Sequence, residues 1–392
     1  MPAMLYFTIA LLLIIAFLWI NRACLALKTL QNVPAVQPPE PGQTSSAKVS
    51  ILIPARNEEK NLPVSLPSLL NQTGIDWECL VANDRSTDGT ENALKKLGLN
   101  EISTAPAGTK KRYLNIPQAG PAAWTGKNYA LTQLVPYAAG DWFLFTDADT
   151  CHEPFSLLAA VLHAEKRGLE FLTLLPRCIA GSWLERVIQP SAMGFMGLWF
   201  PLFRVNQKSN PLTFANGQFI LIGKSLYERL GGHAAVAQEF LEDFALMRKA
   251  GESGAACGCH FGQNIYGTRM YQGLREIWRG WRRIYRHASQ DSVPTLIQWL
   301  TGVFAGAVLP FILIGILLDT EHAPFSGLIL FAWTLVFINL GILWITAAKT
   351  YRMLRAPVGY AIFHPLAAIL ISGILADAIR VVLLKRNTRW RG

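Results

Sequence analysis

Val49-Ser50-Ile51-Leu52-Ile53, running straight into Pro54-Ala55-Arg56-Asn57-Glu58, is the stretch that decides the fold. The first half is apolar apart from one serine, and charge arrives abruptly once Pro54 is passed. A short apolar run closed by a turn signal is the mark of a strand buried on both faces, as in a parallel sheet covered by helices. Ligands of such sheets bind outside the carboxyl ends of the strands, so Pro54, Ala55, Arg56 and Glu58 are candidate binding residues. Comparable runs recur at Glu78 to Ala82, Trp142 to Thr146 and Phe171 to Leu175, separated by helical stretches. The alternation predicts an α/β domain with a mostly parallel sheet.

The second run ends in Asn83-Asp84-Arg85-Ser86-Thr87-Asp88-Gly89, where Asp84 can accept a hydrogen bond from a base or ribose. Asn, Asp and Ser at a strand-to-helix junction also cap helices, and each loop taken singly reads that way too. The third run leads into Asp147-Ala148-Asp149. Carboxylates two apart in an extended segment can point the same way. Their oxygens suit Mg²⁺ or Mn²⁺, ions that bind substrate phosphates with only one or two protein carboxylates. Alone, such a pair is more often a turn or a cap.

Taken in order, these elements resemble the family 2 glycosyltransferases, from Val49 to about His287. The resemblance implies a GT-A-like, Rossmann-type domain that binds a nucleotide sugar and transfers the sugar with inversion. Pro54 to Glu58 and Asp84 to Thr90 match the nucleotide-binding elements, and Gly126-Lys127 matches a Gly-Lys whose lysine meets the donor phosphates. Asp147 to Asp149 matches the metal-binding Asp-x-Asp, with Asp147 also on the donor side, and Asn216-Gly217-Gln218 falls where the family lines the acceptor. Glu242-Asp243 looks like the acidic pair that holds the catalytic base; Asp243 takes that role, with Glu242 the second choice. Implied with these are Mg²⁺ or Mn²⁺ and a donor whose base is most often uridine. The family's Gln-x-x-Arg-Trp is absent in strict form. Trp278 to Arg282 looks more like the Gly-Trp variant of members that glycosylate membrane lipids, which makes Arg279 and Trp281 candidates for closing over the donor.

Composition adds the membrane. Of 392 residues 51% are apolar and the formal charge is +10, with the basic residues beside apolar spans, which favours an anionic bilayer over nucleic acid. Met4 to Ile20 reads as an anchor rather than a cleaved signal, with Arg22 and Lys28 placing its far end inside. Thr295 to Leu318, Phe325 to Ala348 and Gly359 to Leu384 are each long enough to span. An acidic loop Asp319 to His322 and a basic loop Lys349 to Arg355 agree with a cytoplasmic catalytic domain. A last simple span, however, would carry Lys385, Arg386, Arg389 and Arg391 outside, a conflict that a shallow or re-entrant segment with Asp377 paired to Arg380 would remove.

The expected organisation is an anchor at 1–30, a Pro-rich linker at 31–47, a catalytic domain at 48–265, an amphipathic interfacial helix region at 266–290 and a membrane domain at 291–392. In the interfacial region, Arg275, Arg279, Arg282, Arg283 and Arg286 share one face and Leu274, Ile277, Trp281 and Ile284 the other. Ser191 to Phe203 fits a core helix or an interfacial one. Six scattered cysteines read as reduced thiols, and Cys257, Cys259 and His260 lack a second cluster to complete a zinc site. The whole plan is similar to carotenoid glucosyltransferases of the chlorobactene type, implying a membrane-lipid acceptor such as a carotenoid, hopanoid, glycerolipid or sphingolipid. Polysaccharide synthesis is the enzymatic rival, and a non-catalytic scaffold or nucleotide-sugar sensor the rival of another class.

Overall fold

The computed structural model describes residues 2–207, 213–318 and 327–384. Among these, Val33–Ile179 and Leu202–Met270 form one compact unit; the residues up to Asn32, Ala180–Pro201 and those from Tyr271 onward form another.

The first unit is built on an eight-stranded sheet. In chain order the strands are β1 (Lys48–Ala55), β2 (Asp76–Asp84), β3 (Asn100–Glu101), β4 (Lys111–Ile116), β5 (Trp142–Phe145), β6 (Thr150–His152), β7 (Phe171–Leu175), β8 (Arg177–Cys178), β9 (Ile220–Gly223), β10 (Cys257–Phe261) and β11 (Tyr266–Thr268). The large sheet runs β10-β7-β9-β5-β1-β2-β4-β3, and β6-β11-β8 form a small second sheet. All pairings in the large sheet are parallel except the two made by β9. Val49, Ile51, Leu52 and Ile53 are fully buried, as an apolar run without alternation demands. The four expected strands are all present. Unforeseen were the small second sheet and, in the large one, β3, the antiparallel β9, β4, whose Lys-Arg start hides it, and β10, where the Cys257-Gly258-Cys259-His260 stretch is a strand paired with β7. Alternation along that strand sends the two cysteines to one face and His260 to the other, where it meets His163 at 2.9 Å.

Two expected boundaries shift. The segment 31–47 is no free tether: Val36 is fully buried, its N–H donates to the Phe261 carbonyl at 2.8 Å, and Ala35 bridges Phe261. A single valine at the right position docks the polar stretch on β10. The catalytic region is also interrupted, because helix Trp183–Trp199 belongs to the second unit. That answers the question Ser191 to Phe203 posed, since most of that run packs with the apolar helices.

In the second unit, Ala3–Asn32, Gly327–Met353 and Val358–Leu383 are long and apolar enough to cross a membrane. The expected span at Thr295 to Leu318 is instead two helices, Val293–Ala307 and Leu309–Leu318, bent by 44°. The cause is Pro310, which has no N–H and whose ring displaces the carbonyl of Gly306 four residues back. That carbonyl is taken by Trp19 Nε1 at 2.6 Å, and Arg22 donates to the Gly302 carbonyl one turn earlier at 3.1 Å. Arg22 comes closest at Gly302, where a Cβ would lie 2.6 Å from its Nη2. The acidic loop at 319–322 and the terminal cluster from Lys385 lie outside the described residues.

Helix Gly273–Ala288 is amphipathic, but its faces differ from the expected division. Ile277 and Trp281 are buried, whereas Leu274 is exposed and Arg286 is buried against Asp291 at 2.9 Å. Asp377, expected to pair with Arg380, does so at 2.7 Å and also accepts from Arg282 at 2.7 Å and Trp278 Nε1 at 3.0 Å. One carboxylate of the last apolar helix thus holds the basic helix by two side chains.

Candidate active site

Parallel register gathers the polar strand ends. Pro54 and Ala55 close β1 opposite Ala82 and Asn83 of β2, and Leu52 lies opposite Phe145 of β5. The loops beginning at Arg56, Arg85 and Thr146 therefore leave one edge. The first two are laced together: Glu58 N–H donates to Thr90 Oγ1 at 2.8 Å, Thr87 N–H to Asn57 Oδ1 at 2.8 Å, and Asn57 N–H to Ser86 Oγ at 3.0 Å. Asn57 sits in the left-handed region at φ 60°, which asparagine tolerates better than most residues. Asp84 is less available than its place in the sequence suggests. It is buried, and both carboxylate oxygens already accept from Arg85, at 2.7 and 3.0 Å.

Lys127 lies at the crossing of the donor and base candidates. Thr125 caps helix Gly126–Leu134 by accepting from Asn128 N–H, so Gly126 and Lys127 open its first turn. The ammonium then reaches Asp147 Oδ1 at 2.8 Å and Glu242 Oε1 at 2.7 Å. Burial alone would lower its pKa, but the two carboxylates outweigh that and raise it. Glu242 and Asp243 start helix Glu242–Glu252, where free N–H groups favour negative charge. Asp243 accepts from Gly217 N–H at 2.7 Å and Phe244 N–H at 2.9 Å.

Of the trio expected to line the acceptor, only Gly217 reaches this cluster. A Cβ there would stand 3.2 Å from Asp243 Oδ2, 3.2 Å from Lys127 Nζ and 3.3 Å from Glu242 Oε1. Asn216 instead donates to the Leu174 carbonyl at 2.9 Å, and Gln218 donates to Thr268 Oγ1 at 3.0 Å. Their amides fasten strand ends. Arg279 and Trp281 belong to the second unit; Arg279 is exposed and Trp281 is buried, donating to Gln189 Oε1 at 2.7 Å.

Two supports went unread in the sequence. His152 is buried in β6, stacked on Phe219 and Tyr266, and bonds Thr150 Oγ1 at 3.0 Å just after the Asp147 to Asp149 turn. Burial depresses its pKa to about 3, so it stays neutral. Asn128 is fully buried, its amide spent on backbone carbonyls ahead of the acidic pair. The rings that stack on His152 and the carbonyls that hold Asn128 are remote in sequence, so neither packing carries a local signal.

With that geometry in view, residues 50–231 match the family model Glycosyl transferase family 2. That stretch is a glycosyltransferase domain. The chain's similarity extends to the 4,4'-diaponeurosporenoate glycosyltransferases of Staphylococcus haemolyticus strain JCSC1435, 27% identical over 68% of this chain and 70% of the relative, and of Staphylococcus aureus strain MRSA252, 24% identical over 71% of each. Among solved structures it shares its fold with a Pyrobaculum calidifontis mannosyltransferase determined with GDP-Man and Mn²⁺, at a TM-score of 0.53, 17% identity, 97% of this chain and 100% of that one.

Within the glycosyltransferase domain the electrostatics suit a cation. Asp149 Oδ1 is buried with no hydrogen-bond partner. Burial, then Asp147 and Glu58, hold the Asp149 pKa well above the usual carboxylate range. Glu58 is raised too, by burial first and then by Asp147 and Asp88, although Asn61 donates to it. Carboxylates that repel one another, with a buried oxygen left unbonded, fit a divalent ion; no three His, Cys, Asp or Glu side chains among the described residues could hold one unaided. Two carboxylates completed by substrate phosphate meet the need. Asp243 is pushed up to about 7 by burial and then by Glu242, against the pull of Lys127 and two amides.

Proposed function

We propose that this glycosyltransferase moves a hexose, glucose in the first instance, from a UDP-sugar to a hydroxyl of a membrane lipid, with inversion. The observation that carries the reading is Asp243: buried, at the head of a helix, oriented by Gly217 N–H, and raised into the range of a working base. The acceptor oxygen attacks the anomeric carbon, the bond from that carbon to the diphosphate oxygen breaks, and the hydroxyl proton passes to the Asp243 carboxylate. Asp147 and Asp149 would hold Mg²⁺ or Mn²⁺, which supplies neutralisation of the diphosphate leaving group. Lys127 adds a fixed positive charge on the same side, and the 54–58 and 84–90 loops take the nucleotide.

The lipid acceptor is supported by three helices apolar enough to span, and by relatives named for a carotenoid-type acceptor. Basic residues following the first span and ending the Gly327–Met353 helix favour a cytoplasmic catalytic domain. A second reading follows from those relatives' names, which denote a carboxylate acceptor. A carboxylate is already ionised near neutrality and needs no base.

Membranes holding the protein, incubated with radiolabelled UDP-glucose and Mn²⁺ and extracted with organic solvent, test both. Label in lipid that disappears in Asp243→Asn supports the hydroxyl acceptor. Label that survives the substitution supports the carboxylate, and label only in polymer or nowhere overturns lipid transfer.

A further inference from the structure

We infer that Asn128 is a positioning residue for transfer, setting the acidic pair at its working distance from the donor-side lysine; this rests on the reading of Asp243 as base. Asn128 is fully buried, and its Nδ2 donates to the carbonyls of Val236 at 2.8 Å, Glu239 at 3.1 Å and Ala237 at 3.2 Å. Two amide hydrogens thus serve three carbonyls. The neighbouring Thr125 N–H donates to the Ala237 carbonyl at 2.9 Å, so the helix start grips the 236–239 segment from two residues. Three residues further on, Glu242 meets Lys127, the residue just before Asn128.

The orientation of the Asn128 amide is dictated by its surroundings. Turning it over would aim Oδ1 at three carbonyl oxygens, whereas as placed Oδ1 is buried with no partner. A buried amide that leaves its own acceptor unsatisfied in order to donate threefold is costly for stability alone. What it secures is a fixed span between Lys127, which faces the leaving diphosphate, and Asp243, which faces the attacking oxygen. Displacement of a reacting group by about 1 Å can lower a rate by about 100-fold.

Asn128→Asp keeps the shape and replaces the donor by an acceptor, and Asn128→Ala removes both. With the full chain in detergent, UDP-glucose affinity in Mn²⁺ is measured by calorimetry beside steady-state transfer and thermal melting. The expected result is a kcat lowered about 30-fold or more, with UDP-glucose affinity changed less than about threefold. An unchanged kcat, or affinity and kcat falling together, would overturn the inference. Should both variants fail to fold, hydrogen exchange on the unaltered chain decides: UDP-glucose with Mn²⁺ should slow exchange at 125–128 and 236–243 together, and slowing at the first segment alone refutes it. Asp243→Asn in the same transfer assay separates the two claims, because full activity there sinks the base and says nothing against the calorimetric split at Asn128.

Discussion

The two acidic pairs, Asp147 with Asp149 and Glu242 with Asp243, have similar composition and opposite environments. The first lies on a turn after a strand, where Asp149 keeps a buried oxygen unbonded and its like-charged neighbours oppose ionisation. The second heads a helix, where Lys127, Gly217 N–H and Phe244 N–H answer the charge from within the protein. Within the first pair Lys127 answers Asp147 and leaves Asp149 uncompensated, which suits a cation; in the second the charge is answered within the protein, which suits the base role proposed for Asp243. Lys127 touches both pairs and keeps them distinct.

Asp149→Asn should break the contrast most completely. Transfer should fall about 1000-fold or more, since the leaving group loses its neutralisation, and added Mn²⁺ should not restore it. The same change removes a charge opposed by Asp147, so melting in EDTA should rise by about 2–4 °C, which a calorimetric scan would show. A fall in both activity and stability would mean the aspartate is structural.

Asp243→Asn should lower kcat by about 100-fold to 10,000-fold on a hydroxyl acceptor while leaving Mn²⁺-dependent UDP-glucose binding in place, measured by calorimetry. Lost donor binding would move Asp243 into the donor site and erase the difference between the pairs.

Gly217→Ala probes how tightly the second pair is packed. Its Cβ would press on Asp243, Lys127 and Glu242 at 3.2 to 3.3 Å, and transfer should drop about 10-fold with little change in melting temperature. Wild-type activity would show that the cluster gives way freely.

The smallest effect is a shift along the pH axis. The base acts only when ionised, so with Asp243 raised to about 7 the rate should climb as pH rises through that region and vanish below it. Glu242→Gln removes the like charge that helps hold the proton, so the acidic limb should move to lower pH. A limb that stays fixed would assign the titration to another group.

Much of this was legible in the sequence because it depends on contiguous residues. The apolar runs without alternation required buried parallel strands, and parallel strands put their carboxyl ends on one edge, which is why the sequence alone groups Pro54, Asp84 and Asp147. The ordered motifs carried the match over residues 50–231, and the long apolar stretches carried the helices apolar enough to cross a membrane. Tertiary structure alone decided the contacts between segments far apart in the chain. It turned Asn216 and Gln218 inward, joined Lys127 to both acidic pairs and brought Asn128 against 236–239. The physical reason is that strand burial and span length are sums over neighbouring residues. The direction of one polar side chain is instead set by whichever unsatisfied carbonyl or charge the folded backbone brings within about 3 Å, and that partner has no fixed distance in the sequence.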